Sequence, residues 1–148
     1  MIVHAGLIAL RATGPQGGLW RGVLIEGPAG AGKSDLALRA LFAGFSLVAD
    51  DRVTLWTSEG RLFGCAPETL FGLLEVRGLQ VVPAPALPLC EVALVARCGP
   101  SERIPEPSFT EILGVSMPLI LLDPREASAP AKLGRALSHF DAAHKRRI

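Results

Sequence analysis

The chain has 148 residues, 49% of them hydrophobic and 20% charged, with a formal net charge of +1. This size and composition suit one globular domain spanning residues 1–148 and exclude a disordered chain. The basic residues are scattered, no apolar run reaches the roughly 20 residues of a membrane helix, and no signal peptide follows Met1. We therefore expect a cytoplasmic protein with neither a nucleic-acid partner nor a membrane partner.

Two strands, a glycine-rich loop and a helix are predicted at the start of the chain. The apolar segment Met1–Leu10 and the strand Gly22–Glu26 flank Arg11–Trp20, whose Gly and Pro residues indicate a turn. Leucines at helical spacing among good helix formers predict a helix over Ser34–Ala43, and Gly44 fits its C-terminus. The glycine-rich segment between the second strand and this helix therefore connects a strand directly to a helix.

The rest of the chain alternates short apolar runs with turn signals. Its predicted elements are a strand at Ser46–Ala49, a hairpin of Arg52–Thr57 with Arg61–Cys65, a brief helix within Pro67–Leu74, strands at Gln80–Val82, Glu91–Ala96 and Pro118–Leu122, and a helix from Ser128 onward. The Pro-rich segments Pro83–Pro88 and Cys98–Ser108 are predicted to be connections, the second of them mobile. This pattern predicts an α/β fold, with a mixed sheet and flanking helices.

The glycine-rich segment matches GxxxxGK[ST], the motif of a phosphate-binding P-loop. Its eight residues are Gly27, Pro28, Ala29, Gly30, Ala31, Gly32, Lys33 and Ser34. Glycine lets the backbone wrap closely round phosphate groups, and the start of the following helix adds partial positive charge beneath them. In this chemistry Lys33 neutralises the transferred phosphate and Ser34 holds magnesium. The motif therefore predicts a site for a nucleoside triphosphate and Mg²⁺, the alternative being a purely structural turn.

An acidic pair follows the next predicted strand. Asp50 and Asp51 lie 17 and 18 residues past Lys33. Ligands gather at the carboxyl ends of strands in open α/β sheets, so the pair is expected beside the phosphates. Either carboxylate is a candidate magnesium contact, and either is a candidate general base for phosphoryl transfer.

Three further polar residues stand among apolar segments. Glu75 is able to complete a magnesium shell and Arg77 to stabilise phosphoryl charge, although a surface salt bridge is the simpler explanation of both. His4 is isolated in an apolar strand, where a hydrogen-bonded core histidine is the commoner role. The residues alone leave these alternatives open.

The remaining cysteines and histidines do not indicate a metal site. Cys65, Cys90 and Cys98 are odd in number and lack CxxC spacing, which argues against both a zinc site and a disulfide framework. His139 and His144 are five residues apart on the last predicted helix, so they are not an i,i+4 pair. We expect free thiols and surface histidines.

Four segments, taken together, resemble the HPr kinase/phosphorylase family. They are Val3-His4, the loop ending Gly32-Lys33-Ser34, the run Leu47-Val48-Ala49-Asp50-Asp51, and the run Leu74-Glu75-Val76-Arg77-Gly78-Leu79. A P-loop alone is common to many families, but its combination with ADD and then EVRGL at this spacing is specific. The resemblance covers essentially the whole chain, whose length is similar to that of the short alphaproteobacterial form without an N-terminal domain.

The resemblance implies a fold, a reaction and a set of roles. It implies a fold similar to phosphoenolpyruvate carboxykinase, with ATP and Mg²⁺ bound at the P-loop, and phosphorylation of a serine of the phosphocarrier HPr that inorganic phosphate can reverse. By the same resemblance Asp50 is the acid/base, tuned or oriented by His4 and Asp51. Glu75 joins Ser34 on magnesium, and Arg77 holds phosphoryl charge or the protein substrate. A homo-oligomer, hexameric in this family, is also implied.

The chain departs from the family pattern at one position that bears on function. The family usually has EVRGLGI, and here Gln80 stands where the second glycine would be. Two other function classes remain open. One is a small-molecule kinase or NTPase built on the same loop, although the candidate lid Cys98–Pro107 carries only Arg103. The other is a nucleotide-dependent regulatory module that binds HPr without phosphorylating it.

Overall fold

The computed structural model describes residues 1–12 and 19–146, with side chains described as far as Phe140. The predicted turn between the first two strands, 13–18, and the side chain of His144 lie outside the described residues. The strands are β1 (Ile2–Arg11), β2 (Trp20–Glu26), β3 (Ser46–Ala49), β4 (Arg52–Ser58), β5 (Arg61–Cys65), β6 (Leu73–Val76), β7 (Gln80–Pro83), β8 (Cys90–Cys98), β9 (Ser108–Ile112) and β10 (Val115–Leu122). The helices are α1 (Lys33–Phe42) and α2 (Ala129–Arg146).

The main sheet is mixed and contains a closed ring of strands. Strands β1, β2, β8, β5 and β4 pair in turn, and β4 returns to β1. Beyond this ring, β3 pairs with β1, and β10 pairs with β8 and carries β9 at the outer edge. Strands β2, β3, β8 and β10 all run antiparallel to β1, so their carboxyl ends meet at one edge. That edge is where a ligand site is expected in an α/β sheet.

Two apolar cores lie on opposite faces of the sheet. Alternate residues of β1 and β2 contribute to each, as the strand period of two requires. Ile8 and Ile25 pack with Leu36 of α1 and Leu133 of α2, whereas Leu7 packs within the ring of strands. Both faces of the central strands are therefore buried, which explains why these strands are nearly continuous apolar runs in the sequence.

The end of α1 confirms the predicted C-terminal signal. Gly44 has φ 98°, in the left-handed region that glycine tolerates best. The N–H of Phe45 donates to the carbonyl of Ala40 at 3.1 Å, and the N–H of Gly44 donates to that of Leu41 at 3.4 Å. This pair of bonds is a Schellman motif, and it turns the chain from α1 into β3.

The fold corrects one sequence prediction and adds a hairpin that was not predicted. The brief helix is only a single 3₁₀ turn, Glu68–Leu70, because Phe71 is extended and Gly72 has φ 72°. The chain then forms β6. The predicted connection Cys98–Ser108 agrees with the fold, since β8 ends at Cys98 and β9 begins at Ser108, but β9 and its hairpin with β10 were not predicted. The two turn residues of this hairpin, Leu113 and Gly114, both have positive φ, as tight hairpin turns require.

Cys65, Cys90 and Cys98 are free thiols, as predicted. Burial, with a smaller contribution from the negative charge of Glu91, raises the pKa of the Cys90 thiol to about 12. Separately, neither helix of the described residues is both long and apolar enough to cross a membrane.

The raised pKa of Cys90 predicts a pH dependence of stability. Above about pH 8.5 the unfolded thiol ionises while the native thiol keeps its proton, so the unfolded state is favoured as pH rises. We expect the free energy of unfolding to fall more steeply between about pH 8.5 and 10 than it does in Cys90→Ala. Denaturant titrations of both proteins across this range measure the difference. Equal slopes for the two proteins would contradict the prediction.

Candidate active site

The phosphate-binding motif forms the loop between β2 and α1. Gly30 and Gly32 have φ 80° and 105°, conformations that other residues adopt at a cost. Gly27 packs against β8, where a Cβ would lie 2.8 Å from the Cβ of Cys98. Gly30 and Gly32 therefore allow the tight turn of the loop, and Gly27 allows the loop to pack closely against β8.

The side chain of Lys33 folds back over this loop. Its ammonium donates to the carbonyl oxygens of Gly27 at 2.6 Å and Pro28 at 3.0 Å. These bonds hold the cation at the mouth of the loop. A phosphate oxygen is a stronger acceptor for an ammonium than a neutral carbonyl, so a phosphate bound there is able to compete for the same donor.

Asp50 is buried at the end of β3, with 6% of its surface exposed. Each of its carboxylate oxygens accepts one hydrogen bond. The hydroxyl of Ser34 donates to Oδ1 at 2.8 Å, and the backbone N–H of Glu75 donates to Oδ2 at 2.9 Å. Asp50 thus connects the end of the phosphate loop to β6 and fixes the orientation of Ser34.

The side chain of Asp51, unlike that of Asp50, is exposed to solvent. The φ of Asp51 is 69°, and the N–H of Arg52 donates to the carbonyl of Asp50 at 2.8 Å, so the three residues form a γ-turn of the rare positive-φ kind. Its carbonyl also accepts the N–H of Ala5 at 3.1 Å. This turn presents the carboxylate to solvent, with 55% of the side chain exposed. Backbone strain of this kind clusters at functional sites.

Two cationic or potentially cationic groups flank the Asp51 carboxylate. Nδ1 of His4 lies 3.7 Å from Oδ1, and Nε of Arg52 lies 3.7 Å from Oδ2. His4 is 59% exposed, so the alternative of a core histidine is wrong. His4 lies near the start of β1. This start is at the same edge of the sheet as the carboxyl ends of β2 and β3.

One pocket collects most of the predicted site residues. Its lining is His4, Ala29, Gly30, Gly32, Lys33, Ser34, Asp35, Asp50, Asp51, Glu75 and Arg77. The predicted loop residues Gly27, Pro28 and Ala31 are not among these residues. Within the described part of the chain, Glu75 and Arg77 make no salt bridge with each other, so that alternative is not supported.

The charge of this pocket suits a divalent cation. Four carboxylates line it, against two permanently cationic side chains, Lys33 and Arg77. A triphosphate alone would be repelled by this excess of negative charge. Ser34 and Glu75 offer the oxygen ligands that Mg²⁺ prefers, and Mg²⁺ characteristically takes one or two carboxylates together with substrate phosphates. Among the described residues, no group of three or more His, Cys, Asp or Glu side chains is placed to hold a metal ion by itself.

Sequence reasoning missed a support beneath the loop. Arg39 of α1 donates to the carbonyl of Pro124 and, at 3.1 Å, to that of Glu126, while it pairs with Asp35 at 3.0 Å. Pro124 in turn lies beside Gly32, 3.7 Å from where a Cβ would be. The connection after β10 therefore backs the phosphate loop. The i,i+4 spacing of Asp35 and Arg39 was its one local signal.

Comparison with known proteins supports the sequence resemblance. The family model described as HPr Serine kinase C-terminal domain matches residues 19–87. The HPr kinase/phosphorylase of Clostridium tetani (strain Massachusetts / E88) is 47% identical over 66 residues, which are 45% of this chain and 22% of that protein. That of Clostridium perfringens (strain SM101 / Type A) is 46% identical over 66 residues, with the same coverage of 45% and 22%. The chain thus spans about a fifth of the length of these relatives.

The fold is similar to a solved structure over nearly its whole length. The structure titled as the Hpr(Ser) kinase/phosphatase from Coxiella burnetii matches with a TM-score of 0.79 at 23% identity. The match covers 98% of this chain and 99% of that one. The predicted mixed α/β fold is therefore confirmed. The segment with the P-loop, the acidic pair and the EVRGL run also falls within the family match, so the resemblance of this chain to the HPr kinase/phosphorylase family is confirmed.

Proposed function

We propose that this chain is an ATP-dependent protein serine kinase that phosphorylates HPr and also removes the phosphate by phosphorolysis. The observation that carries the proposal is one pocket in which a phosphate-loop lysine, Lys33, meets an exposed carboxylate, Asp51. The names of the relatives supply the substrate. We propose further that residues 1–148 form one cytoplasmic catalytic domain of phosphoenolpyruvate carboxykinase-like P-loop type, which assembles as a homo-oligomer, hexameric by family resemblance.

The phosphate loop would bind the triphosphate of ATP. Backbone N–H groups of Gly30 to Lys33 would donate to phosphate oxygens, and the start of α1 would add its partial positive charge. Lys33 would exchange its bonds to Gly27 and Pro28 for bonds to phosphate. Since those carbonyls belong to the loop itself, the exchange needs no movement elsewhere in the chain.

Magnesium would be held by Ser34 and Glu75. The hydrogen bond from Ser34 to Asp50, and that from the Glu75 N–H to the same carboxylate, keep both residues in place. When bound, Mg²⁺ would supply positive charge that neutralises the negative charge developing during phosphoryl transfer. Asp50 would then act on the ion through the residues that it orients.

The contacts favour Asp51 over Asp50 as the general base. A base must come within hydrogen-bond reach of the hydroxyl whose proton it takes. Asp50 is buried, and both of its oxygens already accept bonds within the chain, whereas Asp51 is exposed beside His4. The proposal therefore reverses the roles expected from the family pattern, in which Asp50 was the base and Asp51 its neighbour.

In the forward reaction, the serine hydroxyl of HPr would attack the terminal phosphorus of ATP. A new P–O bond to serine would form as the bond to ADP breaks, and the proton would pass to Asp51, which His4 orients. Arg77 would stabilise the charge on the transferred phosphoryl group. In phosphorolysis, an oxygen of inorganic phosphate would attack the phosphorus of phosphoserine. The bond from phosphorus to the serine oxygen would break, pyrophosphate would form, and the serine oxygen would recover its proton from Asp51.

The departure at Gln80 does not argue for a non-catalytic module. Gln80 pairs with Val76 across the β6–β7 hairpin and is not among the residues that line the pocket.

The function would be tested by mass spectrometry of the acceptor after incubation with Mg-ATP. One acceptor is used at a time: HPr, HPr with its target serine changed to alanine, or mixed nucleoside monophosphates. We expect phosphorylation of unmodified HPr alone. Phosphorylation of a nucleotide instead would replace the proposal with a small-molecule kinase, and binding of HPr without transfer would replace it with a regulatory module.

A further inference from the structure

Arg39 of α1 holds a distant segment of the chain through its guanidinium group. Nε donates to a carboxylate oxygen of Asp35 at 3.0 Å, Nη1 donates to the carbonyl of Glu126 at 3.1 Å, and Nη2 donates to the carbonyl of Pro124. The guanidinium is planar and each of its nitrogens has its own acceptor, so it fixes the two carbonyls relative to α1.

The two carbonyls belong to the 123–128 connection, which joins β10 to α2. This connection begins at the carboxyl end of β10, at the sheet edge where β2 runs into the phosphate loop. Its first turn is closed by the Asp123 carboxylate, which accepts the N–H of Arg125 at 3.0 Å. Arg39 therefore links the helix that follows the phosphate loop to a hydrogen-bonded turn beside that loop.

Pro124 of this turn packs against the end of the phosphate loop. Its Cγ and Cβ lie 3.7 and 3.8 Å from the position that a Cβ of Gly32 would take. Gly32 precedes α1 with φ 105° and makes no side-chain cap. Because glycine has the greatest backbone freedom of any residue, neighbours that pack against it restrict its conformation.

The loop is supported at both ends. Pro28, Ala29 and Gly30 are exposed, whereas Gly27 and Gly32 are half-buried, the first against β8 and the second beside Pro124. A loop that binds phosphate through its backbone N–H groups loses less conformational entropy on binding when those groups are already in place. Support at Gly32 therefore favours nucleotide binding.

We propose that Arg39 is a positioning residue: by fixing Pro124 beside Gly32, it holds the phosphate loop in the conformation that binds the nucleotide. This inference rests on the proposed function, in which the loop is the ATP site, and it deepens that function. Arg39 would set the affinity for ATP without contacting it.

A second route from Arg39 to the nucleotide runs through charge. Asp35 lines the pocket of Lys33, and its carboxylate would repel phosphate more strongly without the guanidinium beside it. The Asp35 side chain is 58% exposed, so solvent screens its charge. We therefore assign the larger effect to positioning, and Asp35→Asn separates the two routes.

The test is calorimetric titration of Mg-ATP into the full chain, Arg39→Gln and Arg39→Gln/Asp35→Asn. Arg61→Gln is the matched control. The guanidinium of Arg61 also makes two charged hydrogen bonds, to Glu91 at 2.9 and 2.8 Å, but Arg61 does not line the pocket of Lys33. Thermal unfolding of each protein reports stability separately from affinity, and steady-state kinetics with HPr give kcat and KM for ATP.

We expect Arg39→Gln to raise Kd for Mg-ATP by roughly tenfold, the size usual when a group that holds a ligand's own contacts in place is lost. KM for ATP should rise with it, while kcat at saturating ATP stays within about twofold. Adding Asp35→Asn should leave Kd raised. Arg61→Gln should bind Mg-ATP as tightly as the unsubstituted chain.

An unchanged Kd in Arg39→Gln, or an equal rise in Arg61→Gln, overturns the positioning role and leaves the kinase proposal standing. Recovery of affinity on adding Asp35→Asn assigns the effect to charge and also overturns it. If Arg39→Gln does not fold, Pro124→Ala replaces it, because that change removes the Cγ beside Gly32. Unchanged affinity in Pro124→Ala then overturns the role. If the unsubstituted chain binds no Mg-ATP, the proposed function fails, and the positioning role fails with it.

Discussion

Replacement of Asp51 by asparagine should slow phosphorylation of HPr by roughly 10² to 10⁴, the usual size of general-base assistance, while ATP binding survives. The amide keeps the size of the side chain but cannot accept the serine proton. Because the Asp51 side chain is exposed, 3.7 Å from His4, replacing its carboxylate by an amide should not change the packing of the site. Rates of serine phosphorylation and ATP affinity, measured on the same preparation, check both parts of this result.

Asp50→Asn is the matched comparison, and it should fail differently. Asp50 accepts a hydrogen bond at each oxygen, from Ser34 and from the Glu75 N–H. An amide has one acceptor atom, so its NH₂ group would face one of these two donors. Both proposed magnesium ligands would be disturbed, so affinity for Mg-ATP and activity should fall together. A selective loss of rate in Asp50→Asn, with near-normal transfer by Asp51→Asn, would restore Asp50 as the base.

Lys33→Ala should abolish triphosphate-dependent activity and change the melting temperature little. Among the described residues, the ammonium donates hydrogen bonds only to the carbonyls of Gly27 and Pro28 in its own loop, and its proposed partner is phosphate. Lys132→Ala is the control, because Lys132 of α2 forms an exposed ion pair with Glu126, which lies before that helix. Calorimetric titration with Mg-ATP and thermal unfolding of both variants make the comparison. Full ATP affinity in Lys33→Ala would remove the loop from the mechanism.

The sequence predicted features that depend on neighbouring residues. The phosphate loop and the end of α1 follow from the positions of Gly27, Gly30, Gly32 and Gly44, and the helix between them follows from leucines at helical spacing. Asp50 and Asp51 were correctly expected at a strand end, but their different surroundings depend on a positive φ at Asp51 and on Glu75, far along the chain. No local pattern indicates either.

Long-range pairing explains the other differences. The closed ring requires β5 to meet β8 and β4 to meet β1, contacts that no local period of the sequence specifies. A brief helix was predicted within Pro67–Leu74, but only Glu68–Leu70 forms a helical turn. Gly72 then redirects the chain into β6, which brings Glu75 to the Asp50 carboxylate. The fold class could therefore be predicted, whereas the contacts that divide roles within the site could not.

Transfer of label from [γ-³²P]ATP to purified HPr, in the presence of Mg²⁺ and this chain, tests the proposed kinase activity directly. Lys33→Ala, purified identically, controls for contaminating kinases. We expect label on one serine of HPr with the unsubstituted chain, no label with Lys33→Ala, and release of the label as pyrophosphate when inorganic phosphate is added. Absence of labelled HPr with the unsubstituted chain, or equal labelling with Lys33→Ala, would contradict it.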